Sequence, residues 1–225
     1  MTRPLPVGQF QRAEMPRFGI TAYAHRFPKD PHDRSLVLRV LGAEPVTISP
    51  ALQGLPRHTL TADFHCVTGW SVCGLRWGGV RFADFFARHL GPAGVQERHT
   101  LVLRGHDGYR TSLPLADLLA GEVLLADELN GQPLPLAHGA PLRLVAPAHY
   151  GYKSLKHLAR MECHAELPRL KRALLAFLDH PRARIAQEER AQGLPGWATR
   201  HLFKPLIERT ARQFQAALQR HQPRL

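Results

Sequence analysis

Apolar and polar positions along the first two thirds of the chain alternate in short runs, and most runs end at a glycine, a proline or an Asn-Gly or Asp-Gly pair. Ser35 to Leu41, rich in Leu and Val and bounded by Gly42 and Pro45, predicts a short strand, and Val46-Thr47-Ile48 predicts a second. Leu60 to Thr68 has the composition of a strand running into a loop. Val80 to Leu90 then places Val80, Phe82, Phe85, Phe86 and Leu90 at helical spacing around Arg81, Asp84 and Arg88. A strand, a loop and a helix therefore frame Cys66.

Thr100 to Arg104 and Tyr109 to Leu113 flank His106-Asp107-Gly108, and Val123 to Leu129 and Gln132 to Leu136 flank Asn130-Gly131. Both pairs predict hairpins, because Asp-Gly and Asn-Gly supply the positive φ of a tight turn. Pro114 to Leu119 predicts a helical turn, and the run from His138 to Pro147 a strand that stops at its proline. Residues 1 to 35, rich in proline and broken by aromatics, read as an irregular arm wrapped around the domain, with Arg17 and Phe18 as surface anchors.

From Leu167 the period changes. Leu167, Leu170, Leu174, Leu175 and Leu178 lie at helical intervals, and Leu206, Ile207, Phe214 and Leu218 do so again after the breaker Gly193-Leu194-Pro195-Gly196. The pattern predicts an α+β protein with mixed, irregular sheets in residues 1–164 and a basic α-helical C-terminal extension in residues 165–225.

A chain of 225 residues can bury a large core, and no apolar run reaches the length of about 18 that crosses a bilayer. The start, Met1-Thr2-Arg3-Pro4-Leu5-Pro6, carries neither an apolar signal region nor a twin-arginine pair, so the expected location is cytoplasmic. Three cysteines, Cys66, Cys73 and Cys163, are an odd and scattered set that predicts reduced thiols, and none of their spacings suits structural zinc. The formal charge is +12, and residues 165–225 carry twelve Lys or Arg against five Asp or Glu, so the tail alone holds +7. Such charge fits an anionic partner: nucleic acid, an acidic membrane surface or an acidic protein.

Chemistry concentrates in Asp63-Phe64-His65-Cys66-Val67-Thr68-Gly69-Trp70-Ser71 and the glycine-rich Gly74-Leu75-Arg76-Trp77-Gly78-Gly79 after it. Taken alone, a cysteine among tryptophans is either plain core or a site where the backbone bends around a ligand. Two further segments bear on the choice: His138-Gly139-Ala140-Pro141-Leu142-Arg143 and Tyr150-Gly151-Tyr152-Lys153-Ser154-Leu155-Lys156. In this order, with an Asp-Gly-Tyr turn between the first and second, the three segments resemble the molybdopterin-binding domain of the sulfite oxidase family, from about Pro16 to Glu162.

The resemblance implies a molybdenum ion on the Cys66 thiolate, its other ligands coming from the dithiolene of one molybdopterin and from oxo or water oxygens. A soft thiolate suits a redox metal and tunes its potential. The cofactor's phosphate needs fixed positive charge and donors, which the resemblance assigns to His138, Arg143, Ser154 and Lys156; the Leu155 backbone amide is a further donor, and Lys153 beside them a further candidate. Phe18 and His65 are further cofactor candidates, His65 either hydrogen-bonding behind the ligand or filling a strand position, and Asp107 is a catalytic candidate on a turn that approaches the metal in relatives or else a structural turn residue. Cys73 reads as nearby packing and Cys163 as core. The arginines that follow the metal-binding cysteine in true sulfite oxidases are absent, Val67-Thr68-Gly69-Trp70-Ser71 standing there instead.

The expected activity is therefore two-electron oxygen-atom transfer on a small substrate, sulfite, a sulfoxide or a similar oxide. The expected electron partner is a separate redox protein, since no haem, flavin or iron-sulfur motif occurs. The basic tail is a candidate for docking that partner or an acidic membrane surface. The competing reading is a non-enzymatic nucleic-acid-binding protein with Cys66 as core. It is set aside because three ordered motifs point to a cofactor, and no nucleic acid is expected. Hydrolase readings rank lower still, for want of a Gly-x-Ser-x-Gly elbow, a phosphate loop or a His-Glu-x-x-His helix.

Overall fold

The computed structural model of the protein describes residues 4–40, 42–96, 99–165 and 179–221. Its strands are β1 (Phe10–Gln11), β2 (Leu36–Arg39), β3 (Val46–Ile48), β4 (His58–His65), β5 (Trp70–Arg81), β6 (Thr100–Gly105), β7 (Arg110–Pro114), β8 (Leu124–Leu129), β9 (Gln132–Pro133), β10 (Arg143–Val145) and β11 (Leu158–His164). Its α-helices are α1 (Phe82–Phe85), α2 (Leu115–Leu119), α3 (Gly196–Phe203) and α4 (Ile207–His221).

The strands form two sheets, one of six strands around β5 and one of five in the order β3-β2-β11-β6-β7. Strand β5 pairs antiparallel with β4 along most of its length, parallel with β1 at Trp70 and Ser71, and antiparallel with β8 near its end. In the second sheet the β2–β11 pair is parallel and the rest are antiparallel. Helices beside mixed sheets make the protein α+β.

Strand periodicity explains how the first sheet is buried on both faces. On β8, Leu125 points into a cluster with Leu36, Leu103, Leu144 and Met161, while its neighbours Leu124 and Ala126 point into a second cluster with Trp70, Trp77 and Cys66. β10 repeats the split, with Leu144 in the first cluster and Val145 in the second. Cys66, at the end of β4, therefore sits on the tryptophan face. Cys163 belongs to the first cluster, in the core.

The two turns form as their residues demand, with Gly108, Asn130 and Gly131 all at positive φ. Other expectations shift. The stretch after Cys66 is not a long loop: only a tight turn separates β4 from β5. Val80 and Arg81 still belong to β5, so the helix shortens to α1 and a π-helical turn, Phe86–Leu90. The expected strand from Gln132 to Leu136 keeps only β9, and the one from His138 keeps only β10, because Leu136–His138 close a 3-10 turn. β11 is a strand that the pattern had not indicated.

The leucine run expected to be helical between 167 and 178 lies outside the described residues. Beyond it, α4 buries Ile207, Thr210, Phe214, Ala217 and Leu218, the spacing of an amphipathic helix. That stripe packs on the N-terminal arm: Phe214 and Ala217 cluster with Ala24, and His221 stacks on Phe27 at 3.9 Å. Much of the tail's positive charge is used within the protein. Arg182 pairs with Asp117, Arg184 pairs with Glu189, and Arg190 is buried.

Candidate functional site

A cavity of about 630 Å³ lies against the tryptophan face of the first sheet and is closed by both terminal segments. Cys66 and Thr68 line it from the β4–β5 turn, Trp70 and Arg143 from the first residues of β5 and β10, His138 and Lys156 from later loops, Phe18 from the arm, and Leu206 and Phe214 from the C-terminal segment.

The turn holding Cys66 is tight. Cys66 N–H donates to Trp70 O at 2.8 Å and Gly69 N–H to Cys66 O at 3.0 Å. Its Sγ lies 3.1 Å from Thr68 Oγ1. Burial pushes the Cys66 thiol up, and hydrogen bonds from Thr68 together with the charges of Arg190 and Lys156 act in the opposite direction. Trp70 is buried beside the sulfur, with Phe18 edge-on to its ring at 5.5 Å and Phe64 tilted against it at 5.6 Å.

Arg143 shows where the cavity carries charge. Its guanidinium is buried over the Trp77 ring at 4.6 Å and donates to His138 O at 2.7 Å and Ser154 O at 3.1 Å. Lys156 Nζ donates to Phe18 O at 2.8 Å. Among the described residues neither cation has a carboxylate within 4.0 Å, the reach of the ion pairs found elsewhere. Burial lowers Arg143 to about 9, and burial with repulsion from Arg143 and Arg17 lowers Lys156 to about 7. Burial and the same two cavity cations hold His138 at about 4, a neutral imidazole near pH 7. Asp107, on the same cavity, pulls Lys156 up by less than burial and the neighbouring cations push it down, so the pair keeps an excess of buried positive charge that suits an anion from outside.

Local backbone shapes this cradle. Gly139 sits at φ 118°, and a Cβ there would press on Lys156 and Arg143 at 3.1–3.2 Å. A Cβ on Gly151 would collide with the Phe64 ring that walls the cavity. Both positions need glycine, for conformation in the first and for close approach in the second.

Ser154, Leu155, Phe18 and Asp107 all line the cavity, as do Cys66, His138, Arg143 and Lys156. Ser154 Oγ accepts from Ala146 N–H at 3.1 Å. Asp107 accepts from Tyr109 N–H at 2.9 Å, and burial raises its carboxyl. Four expectations change. Lys153 does not itself line the cavity: fully buried, its ammonium donates to Ser112 O at 2.9 Å and to Asp179 at 3.0 Å, two residues of the cavity wall. The Leu155 amide is not open to an anion, since it donates to Lys153 O at 2.9 Å. His65 is also off the cavity, its Nδ1 2.7 Å from Ser71 Oγ behind the turn. Arg17, expected at the surface, is buried between the Phe27 and Phe214 rings, at 4.1 and 4.9 Å.

Sequence reasoning missed Gln9, Thr68 and Arg190, each bonded to the Cys66 turn. Arg190 stands in a charged stretch with the look of a solvated face, and no local signal marks it.

One sulfur and an unneutralised pair of buried cations, sharing a cavity large enough for a cofactor, define a site for an anionic group that carries a thiophilic metal. Residues 25–169 match the oxidoreductase molybdopterin binding domain, and the chain belongs to that family. It is similar to the uncharacterized oxidoreductase YuiH of Bacillus subtilis, at 44% identity over 48% of this chain and 52% of that protein. Mitochondrial sulfite oxidase of Mus musculus is 31% identical over 61% of this chain and 30% of its own length. The protein-methionine-sulfoxide reductase catalytic subunit MsrP of Xanthomonas campestris pv. campestris is 28% identical over 66% of this chain and 53% of its own. The chain thus spans about half or less of the length of these relatives. Among solved structures, the sulfane dehydrogenase SoxCD of Paracoccus pantotrophus shares the fold, with a TM-score of 0.51 and 24% identity over 61% of this chain and 39% of that one.

The cavity fits molybdopterin. Arg143 and Lys156 lack the anion that a phosphate supplies, and Cys66 offers the single soft ligand that a molybdenum ion takes from protein.

Proposed function

We propose that the protein is a molybdenum-cofactor oxidoreductase that carries out two-electron oxygen-atom transfer on a small neutral oxide, a sulfoxide in class, with a separate redox protein as electron partner. The observation that carries this reading is the unpaired Arg143–Lys156 cation pair in one cavity with Cys66. When bound, the molybdenum centre supplies two-electron redox chemistry and oxygen exchange.

The chain's own groups have distinct roles. Arg143, with its guanidinium fixed on Trp77, and Lys156 hold the phosphate. His138, neutral near pH 7, donates or accepts one hydrogen bond beside them. The Cys66 thiol gives up its proton to bind the metal, and the Thr68 hydroxyl then donates to the sulfur and limits the charge that it passes on. Phe18, Phe64 and Trp70 keep water from the sulfur.

The apolar wall around Cys66 supports a neutral substrate. Of the cations that line the cavity among the described residues, Arg143 and Lys156 are committed to the phosphate in this reading, which leaves Arg110. Similarity to a methionine-sulfoxide reductase subunit points the same way. The test is an assay of the molybdenum-loaded protein with a reduced dye and small sulfoxides, beside sulfite with an oxidised acceptor. Sulfoxide reduction, absent in Cys66→Ala, is expected. Turnover of sulfite alone would move the substrate to an oxyanion held at Arg110, and turnover of neither would defeat the reading.

A further inference from the structure

Of the four carbonyls in the Cys66–Gly69 turn, three are bonded from the N-terminal arm and the C-terminal segment. Gly69 O accepts from Phe10 N–H at 2.9 Å. Cys66 O accepts from Gln9 Nε2 at 3.0 Å, in addition to Gly69 N–H. Val67 O accepts from Arg190 Nη1 at 2.6 Å.

Each side chain is itself fixed. Ser71 Oγ donates to Gln9 Oε1 at 3.0 Å, so His65 Nδ1 donates to Ser71 Oγ at 2.7 Å, and the amide must present its NH₂ to Cys66 O. Arg190 is 1% exposed, donates also to Val7 O at 2.8 Å, contacts Glu188 at 3.4 Å and lies over the Tyr150 ring at 4.9 Å. Neither Gln9 nor Arg190 falls within the matched residues 25–169.

We propose that Gln9 and Arg190 are positioning residues that clamp the Cys66–Gly69 turn from opposite ends of the chain and fix the direction of the Cys66 sulfur. The part that concerns a metal on that sulfur rests on the function proposed above. A metal ligand must be held within about 0.5 Å of its working position, and a glycine-containing turn cannot do so alone. The clamp also accounts for His65, which orients Gln9 through Ser71. The segment after residue 165 thereby acts on the site through Arg190 as well as by lining the cavity.

Amide hydrogen exchange on the cofactor-free protein tests the clamp without any metal, read at Cys66 and Gly69, whose N–H groups close the turn. Arg190→Met and Gln9→Met are compared with Arg190→Lys and with Arg200→Met. Arg200 reaches Glu188 at 3.5 Å but not the turn, which makes it a control. Exchange at both amides is expected to rise about tenfold or more in Arg190→Met, less in Gln9→Met and Arg190→Lys, and not at all in Arg200→Met, with β8 amides unchanged throughout. Should Arg190→Met not fold, half-buried Gln9 and the conservative lysine still decide the matter. Wild-type exchange rates at Cys66 and Gly69 in folded Gln9→Met and Arg190→Lys or Arg190→Met would overturn the proposal. In loaded protein the same variants should shift the sulfur-to-metal absorption band. A wild type that takes up no molybdenum would defeat the proposed function and leave the exchange result to judge the clamp.

Discussion

Lys153 and Lys156 stand three residues apart in one loop, and the protein treats their charges in opposite ways. Lys153 is fully buried and is neutralised by Asp179 at 3.0 Å, with the Ser112 carbonyl beside it. Lys156 lines the cavity, donates to the Phe18 carbonyl, has no carboxylate in ion-pair reach among the described residues, and feels the cations Arg143 and Arg17 more strongly than the Asp107 carboxylate. A protein that pairs one buried lysine and leaves the next unpaired has assigned the second to something it binds. The charge of Lys153 is closed by Asp179; the excess on Arg143 and Lys156, which Asp107 offsets only in part, is left for a ligand to close.

The widest separation of the two sides should come from removing a cavity cation. Arg143→Met is expected to lower cofactor affinity about 30-fold or more, seen as loss of pterin and molybdenum from purified protein, because a buried charged hydrogen bond to phosphate is lost. Without cofactor the two lysines should then differ in sign. Lys153→Met strands Asp179 and the Ser112 carbonyl and should cost about 2–3 kcal/mol in denaturant unfolding. Lys156→Met removes an unpaired charge and should be neutral or stabilising, and a loss equal to that of Lys153→Met would erase the distinction.

pH sharpens the comparison further. An unfolded lysine keeps its proton to near 10.5, whereas folded Lys156 releases it near about 7. Between those values the unfolded state binds more protons, so the cofactor-free protein should gain stability as pH rises from about 7 toward 10. Lys156→Met should flatten that rise, and so should bound cofactor, whose phosphate restores the ammonium. The smallest effect is expected at the sulfur. Thr68→Val removes one hydrogen bond, worth about 1 kcal/mol, and should shift the sulfur-to-metal absorption band while Thr68→Ser leaves it in place.

How much of this could be read from sequence depended on the kind of signal each residue carries. Asp107-Gly108 and Asn130-Gly131 announced their hairpins because positive φ is a local requirement. β5 stayed hidden because Gly78 and Gly79 read as loop punctuation. In the sheet they serve close approach, since a Cβ on Gly79 would strike the Leu125 carbonyl and one on Gly78 the Glu128 side chain. In β11 the charged Arg160 and Glu162, with a register shift after Leu158, blurred the strand pattern. Cys66, His138, Arg143 and Lys156 could be brought together because three motifs in order mark them, but which way Lys153 points is decided by Asp179, far along the chain. Arg190 had no signal for its place at the site, because the groups it bonds there, Val67 O and Val7 O, are backbone carbonyls, which have no sequence.

The proposed function stands on a metal at Cys66 and an anion at Arg143 and Lys156. Quantifying molybdenum and phosphate-bearing pterin in protein purified from molybdenum-sufficient cells, for wild type beside Cys66→Ser, tests it most directly. About one of each per chain in the wild type, with the metal lost and pterin largely kept in the variant, is the result predicted for a cofactor held separately by its phosphate and by the sulfur. A folded wild type that carries neither would contradict it.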